Sequence, residues 1–379
     1  MSLTIQNLNG DASFQLTFHP ILPFPRSKED DHTSHAFTIL LDPWLCGRSD
    51  IVHRKFSSTR RINPACVSSI LELPEPDIVI VSQNKSDHCH RETLTQLPSQ
   101  DGKTIILAEP AASKTINSWK HFNKNKVTAL PKWQEPRPGQ PDRLHRITLP
   151  PLDSEGEAGE VTIAYMEDKG DFTGLHNAIG ITYKAPTHSQ TLSSELMTPP
   201  DTPRSSVFPA TANNNQPLSV IFSPHGCSYP TISSYSTSHL LATQALPLTA
   251  FLHCFDQIRN TWYLGGQICN GFPGGLEIAQ KLSARVWISA HDGDKEVKGF
   301  ATLQIATTKF DREEVERVVS PRRDTFSEKE GTRAVVLEVG ENIVLSRTMD
   351  FATVDSPSSA PLLDGGVFVN IESNNLRSV

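Results

Sequence analysis

The sequence predicts a layered α/β sandwich, and three observations predict it. The amino-terminal third alternates short apolar runs with turn signals: "SLTIQ", "SFQLTF", "AFTILLDPWL", "PDIVIVS" and "KTIILAEP", the last after a helix-like "RETLTQLP". The middle, "RLHRITLP", "EVTIAYME" and "NAIGITYKA", reads as strands with few helices. Farther on, "GGLEIAQKLSA" places a helical period directly before the strand "RVWISAHD". Strands first in runs and then interleaved with helices exclude an all-α or all-β chain.

At 379 residues, 37% of them hydrophobic and 20% charged, the chain has ample material for one large core. A formal charge of -7 with no long basic run gives no general attraction to nucleic acid or anionic lipid, so the expected partner is a small molecule. The first twenty residues lack a basic start followed by an apolar run, and no window approaches a membrane-spanning length. Six scattered cysteines without a C-x-x-C pair fit free thiols in a reducing compartment, and the expected location is cytoplasmic.

The main domain is expected over residues 1–318, interrupted at 186–218 by a segment rich in Ser, Thr, Pro and Asn that lacks the apolar surface to offset ordering. Within it Thr198 and Thr202 each precede proline, the pattern a proline-directed kinase accepts; chance Thr-Pro pairs in a linker are the plainer reading. Residues 319–379 read as an extension with a short strand pair, "AVVLEV" and "NIVLS", and a loop-rich tail.

The chemistry-bearing residues sit where predicted strands end. In "DIVIVSQNKSDHCH" an apolar strand gives way to Asp87 and His88, ligand types suited to zinc or iron. "FTGLHNAIGITY" puts His176 in a turn before a strand, "SVIFSPHGCSY" puts His225 after one, and "SARVWISAHDGDK" puts His291 and Asp292 after another. A single such histidine is by default a capping or core residue. Four of them at strand ends, which one sheet edge can bring together, point to a site.

The order "LLDPWL", "SQNKSDH", a turn histidine, "SPHG" and "ISAHD" resembles the metallo-β-lactamase superfamily. The branch most similar contains N-acyl-phosphatidylethanolamine phospholipase D and bacterial lactone hydrolases, and within it a fungal group, some of whose members belong to secondary metabolism. The resemblance implies a four-layer αββα sandwich and a hydrolase of an ester, lactone, thioester or phosphoester. It also implies a loop motif H-x-H-x-D-H, and here the motif is broken: Gln83 and Lys85 stand at its first two histidine positions, while Asp87 and His88 remain. His176 matches the turn histidine, His225 takes the place of the bridging Asp, and His291 matches the terminal histidine.

A degenerate, mononuclear site follows, with one zinc or iron held by Asp87, His88, His225 and His291, or with no metal at all. Lys85 would stabilise an oxyanion, Asp87 would serve the reaction, His176 would shuttle protons, and Gln83, Asp292 and Lys295 would meet substrate. Two alternatives stay open: a metal-independent cyclase or isomerase using Lys85 and the histidines, and a non-catalytic scaffold. Asp42 is expected to cap a turn behind the site; His90 and Cys89 are close enough to coordinate, though a free Cys beside a ligand loop is usually a small packed residue; His239 and His253 are expected to be core histidines on helical stretches. The glycine-rich "GGQICNGFPGG" lacks the spacing of a nucleotide-binding loop.

Overall fold

A computed structural model of the protein describes residues 1–21, 36–188, 216–320 and 331–346. The loop carrying Thr198 and Thr202 and the tail after Asp350 lie outside the described residues.

Two seven-stranded sheets form the centre. The first runs Asn342–Ser346, Ser2–Asn7, Phe14–His19, Phe37–Leu41, Ile78–Val81, Ile105–Ala108, Val127–Ala129 from edge to edge. The second runs Arg333–Val335, Val286–Ser289, Ala250–His253, Leu218–Ser223, Ala178–Lys184, Gly159–Met166, His145–Leu149. Leu3, Ile5, Phe14, Ile39 and Ile80 of the first meet Ile163, Ile181, Val220, Leu252 and Ile288 of the second in one dry layer.

Helices cover both outer faces. Leu94 and Ile116, from Arg91–Leu94 and Pro110–Ser118, pack on Val79, Val81 and Ile106. On the other side Ile232, Ile278 and Val315, from Tyr229–Tyr235, Gly271–Lys281 and Arg312–Val319, pack on Ile221, Phe251 and Trp287. The layers are αββα, the architecture expected. The burial pattern explains the sequence pattern: Ser2–Asn7 alternates inside and outside, whereas Ile78–Val81, Ala250–His253 and Val286–Ser289 are covered on both faces and are apolar throughout or nearly so.

Each sheet changes from antiparallel to parallel pairing at one strand. Phe37–Leu41 pairs antiparallel with Phe14–His19 and parallel with Ile78–Val81. Leu218–Ser223 pairs antiparallel with Ala178–Lys184 and parallel with Ala250–His253. The chain crosses over to a parallel neighbour after such a strand, so its carboxyl end is where the polar turns of α/β sheets gather. Asp42 and His225 follow these two strands.

Two expectations change. The strands after residue 330 do not pair with each other: Arg333–Val335 extends the second sheet beside Val286–Ser289, and Asn342–Ser346 extends the first beside Ser2–Asn7. That stretch is therefore part of the sandwich, because each sheet has a free edge whose backbone groups it satisfies. His253 closes a buried strand instead of lying on a helix, while His239 does lie in a helical turn.

Candidate functional site

Asp42 begins the site. It follows the switch strand of the first sheet with φ +40, a backbone region sparsely populated by residues other than glycine, and its side chain is fully buried. The Ser82 backbone N–H donates to Oδ1 at 2.7 Å, the Ser82 hydroxyl to Oδ2 at 2.5 Å, and His88 Nδ1 lies 2.7 Å from Oδ2. A carboxylate only accepts, so Nδ1 carries hydrogen and Nε2 of His88 is turned away from Asp42.

His225 is fixed in the same manner from the second sheet. Its Nδ1 donates to the Ile268 carbonyl at 3.0 Å, and its own carbonyl accepts from the Asn270 backbone N–H at 2.9 Å. Gly226 makes the turn possible: φ is +78, and a Cβ there would lie 2.7 Å from the His253 ring. With Nδ1 committed, Nε2 of His225 points inward and lies 3.1 Å from Nε2 of His88.

His291 follows Val286–Ser289 with φ +70 and is buried. Its Nδ1 lies 3.2 Å from Asp11 Oδ2, and its ring centre is 4.3 Å from that of His225 and 5.0 Å from that of His88. Asp87 faces the same point: Oδ2 is 3.9 Å from Nε2 of both His88 and His291, and the buried Oδ1 has no hydrogen-bond partner. Ligand atoms of Asp87, His88, His225 and His291 all lie within 4.8 Å of one another.

This donor set fits a divalent ion. Zinc–nitrogen bonds of about 2.0–2.1 Å place two nitrogens of a tetrahedral site about 3.3 Å apart, close to the 3.1 Å between His88 and His225. Two imidazole nitrogens that close, each with its other nitrogen donating elsewhere, repel unless a metal ion or a proton lies between them.

The electrostatics divide these groups. Burial pulls His88 down, but Asp87 and Asp42 outweigh it and hold the imidazole above its ordinary value. Burial, followed by the charges of His291 and His88, drives His225 well below its ordinary value. His291 is lowered mainly by burial, with Asp11 opposing. For Asp87 burial raises the carboxyl and His88, His291 and Lys295 outweigh it, leaving it below the usual range.

Several sequence assignments change places. Lys295, expected at substrate, is in the pocket as its cation: Nζ donates to Asp11 Oδ1 at 2.7 Å and lies 3.3 Å from His291 Nδ1. Burial opposes its charge, but Asp11 outweighs burial and keeps it raised. Lys85, expected to be that cation, makes no side-chain hydrogen bond or ion pair among the described residues, and its charge is felt by Glu109. Its contribution is the backbone carbonyl, which accepts from the N–H groups of His88 at 3.0 Å and Cys89 at 2.7 Å and so shapes the turn.

His176 is not placed to shuttle protons. Its Nδ1 lies 2.7 Å from the Gly226 carbonyl and its Nε2 3.0 Å from the Gln267 carbonyl, so both nitrogens are occupied in fastening loops. Asp292 is likewise unavailable to substrate: its oxygens accept from the N–H groups of Phe255 at 2.6 Å and Asp256 at 3.0 Å and from the Ser289 hydroxyl at 2.6 Å. Burial pushes its carboxyl up to about 7. Gln83 is fully buried and donates to the Leu175 carbonyl at 2.8 Å, while its side-chain oxygen has no partner.

Cys89 packs in the outer core, as expected, and His90 caps the following helix. Asp11 was missed. "NLNGDASF" reads as a hairpin turn, in which Asp is ordinary, and only folding brings it to His291 and Lys295. The glycine-rich segment had a role that spacing did not reveal. It forms the strand Gln267–Asn270 and the start of a helix, supplying the carbonyls that orient His176 and His225.

No protein-family model matches the chain, and no curated protein matches it. Among solved structures it is similar to an isothiocyanate hydrolase from Delia radicum gut bacteria, at 13% identity and TM-score 0.46, over 91% of this chain and 100% of that one. It is also similar to CmlA, a diiron β-hydroxylase from Streptomyces venezuelae, at 14% identity and TM-score 0.46, over 90% of this chain and 54% of that one. A third is the metallo-β-lactamase fold protein YhfI from Bacillus subtilis, at 11% identity and TM-score 0.38, over 89% of this chain and 98% of that one. The fold rests on this chain's own sheets and layers.

Proposed function

We propose that this chain is a hydrolase of an ester, lactone, thioester or phosphoester, with one divalent zinc or iron held by Asp87, His88, His225 and His291. The observation that carries this reading is the 3.1 Å approach of two imidazole Nε2 atoms whose Nδ1 atoms both face fixed acceptors. Bound there, such an ion supplies Lewis acidity, which polarises a carbonyl or phosphoryl oxygen and makes water more acidic.

The chain's own groups have distinct tasks. Asp42 and the Ile268 carbonyl set the direction of the two imidazoles. Asp87 Oδ1, buried and without a partner, is available to accept a proton from water. Lys295, held as a cation by Asp11, offers an ammonium beside His291 for developing negative charge, the role expected of Lys85.

A second reading is favoured by the raised His88 value: its Nε2 proton, donated to His225, satisfies the pair without a metal. That reading yields a metal-independent acid–base enzyme or a binding scaffold. Elemental analysis of protein purified without chelator or polyhistidine tag separates the two. About one zinc or iron per chain, lost in His88→Ala and His291→Ala, supports the hydrolase. Protein that holds no metal and takes none up on titration with Zn²⁺ or Fe²⁺ sinks it.

A further inference from the structure

Three loops lie next in sequence or by hydrogen bond to the residues of the candidate site and are joined into one platform. The first, residues 48–62, is tied to the Asp87 turn by a Ser49–Ser86 hydroxyl contact of 2.6 Å. The second, residues 293–309, follows His291; its strand Lys295–Lys298 pairs with Ser57–Arg61 of the first. Phe300 and Ala301 donate their N–H groups to the carbonyls of Lys55 and Phe56, each at 2.9 Å. The third, residues 257–267, is joined to the second by strand pairing and by Asn260, which donates to the Ala301 carbonyl at 2.7 Å.

The tips of this platform are apolar and uncovered. Trp262 is 86% exposed, Leu303 76%, Phe300 67% and Tyr263 59%. Large aromatic side chains this exposed in neighbouring turns are unusual on a monomer's surface and mark an interaction site.

The charge around them is the reverse of the chain's. Of 35 Lys and Arg and 42 Asp and Glu, the three loops hold nine basic residues and three acidic ones. Lys295 is buried beside Asp11 and Arg61 lies over Trp44 with guanidinium nitrogens buried, which leaves seven, among them Arg54, Lys55, Arg60 and Lys298. Four of the seven, Arg48, Arg54, Lys298 and Lys309, share the three acidic residues Asp50, Glu296 and Asp294, so the excess is four. A net charge of -7 therefore conceals a basic rim on an acidic body.

We infer that this face docks on an anionic lipid surface, with Trp262, Tyr263, Phe300 and Leu303 entering the headgroup boundary and the basic residues facing lipid phosphates and carboxylates. Indole and phenol rings suit that boundary because one end is apolar and the other polar, and the cations add attraction that falls off within a Debye length. A peripheral contact needs no spanning segment, and among the described residues no helix is long and apolar enough to cross a membrane. The docking itself holds whatever the pocket does, because it uses none of Asp87, His88, His225 or His291.

Co-sedimentation of the full chain with vesicles tests it, using pure phosphatidylcholine against an equimolar mixture with phosphatidylserine. Binding to the mixed vesicles alone, weakened at least tenfold by raised salt and at least tenfold by a Trp262→Ala, Phe300→Ala double variant, is the expected result. The replaced side chains are exposed, and an unchanged Tm of the variant confirms that folding is intact. No binding to either vesicle, or equal binding by the variant, overturns the inference. Concentration-dependent dimerisation that the same variant abolishes, without vesicle binding, overturns it in favour of a second copy.

Discussion

The buried histidines of this protein fall into two regions built on opposite rules. In one, His88, His225 and His291 turn ring nitrogens toward a shared point beside Asp87. In the other, His176 and His253 turn both ring nitrogens toward backbone carbonyls, at 2.7 and 3.0 Å for His176 and 2.8 and 3.4 Å for His253. Burial is the same in both regions; the difference lies in what stands behind each ring. A carboxylate or carbonyl at one nitrogen leaves the other free to act. With backbone carbonyls around both, the one N–H of the neutral ring is spent on fastening a loop and neither nitrogen faces the shared point.

The largest effect expected is at the converging set. For the hydrolase proposed above, His88→Ala should remove both the metal and the activity, a loss of at least about a hundredfold; retained activity with the metal gone breaks the distinction. Asp42→Ala comes next, because it leaves His88 unoriented and the Ser82 donors without an acceptor. It should weaken metal binding roughly 10- to 100-fold, read by chelator competition.

The fastening histidines respond through stability. His176→Ala should cost about 1–3 kcal/mol in urea denaturation while metal stoichiometry stays unchanged. Loss of the metal in that variant would move His176 into the first group. For His253, burial lowers the imidazole from 6.5 to about 4. The unfolded chain then binds a proton that the folded one refuses, so this contribution is whole above pH 6.5 and is lost as pH falls from 6.5 toward 4. That shift corresponds to roughly 3 kcal/mol. A His253→Phe variant should show a flatter stability profile over that interval, and an unchanged slope would place the titration elsewhere.

The smallest effect belongs to Lys85. Among the described residues its side chain makes no hydrogen bond or ion pair, and its charge acts on Glu109, so Lys85→Ala should change kcat by no more than a few-fold. A hundredfold fall would restore the role its place in the motif suggested. Lys295→Ala is the sharper control, since that ammonium lies beside His291 and pairs with Asp11.

Much of this was legible in the residues. Strand alternation in "SLTIQ" and unbroken apolar runs in "IVIV" distinguish half-covered from fully covered strands, and polar residues just after those runs mark one rim. Asp87, His88, His225 and His291 therefore stand out as a set in the sequence, and folding brings their ligand atoms together. Periodicity could not tell whether the last two strands pair with each other, because an edge strand and a hairpin strand carry the same pattern.

Local period and residue chemistry are enough to set most of the elements, their layering and the ligand-type side chains at strand ends. Tertiary structure alone decided their roles. Which lysine enters the pocket, whether His176 is free, and that Asp11 meets Lys295 across most of the chain's length depend on which side chain reaches an acceptor first in space. Such outcomes turn on distances of about an ångström between residues far apart in sequence, and no local pattern encodes them.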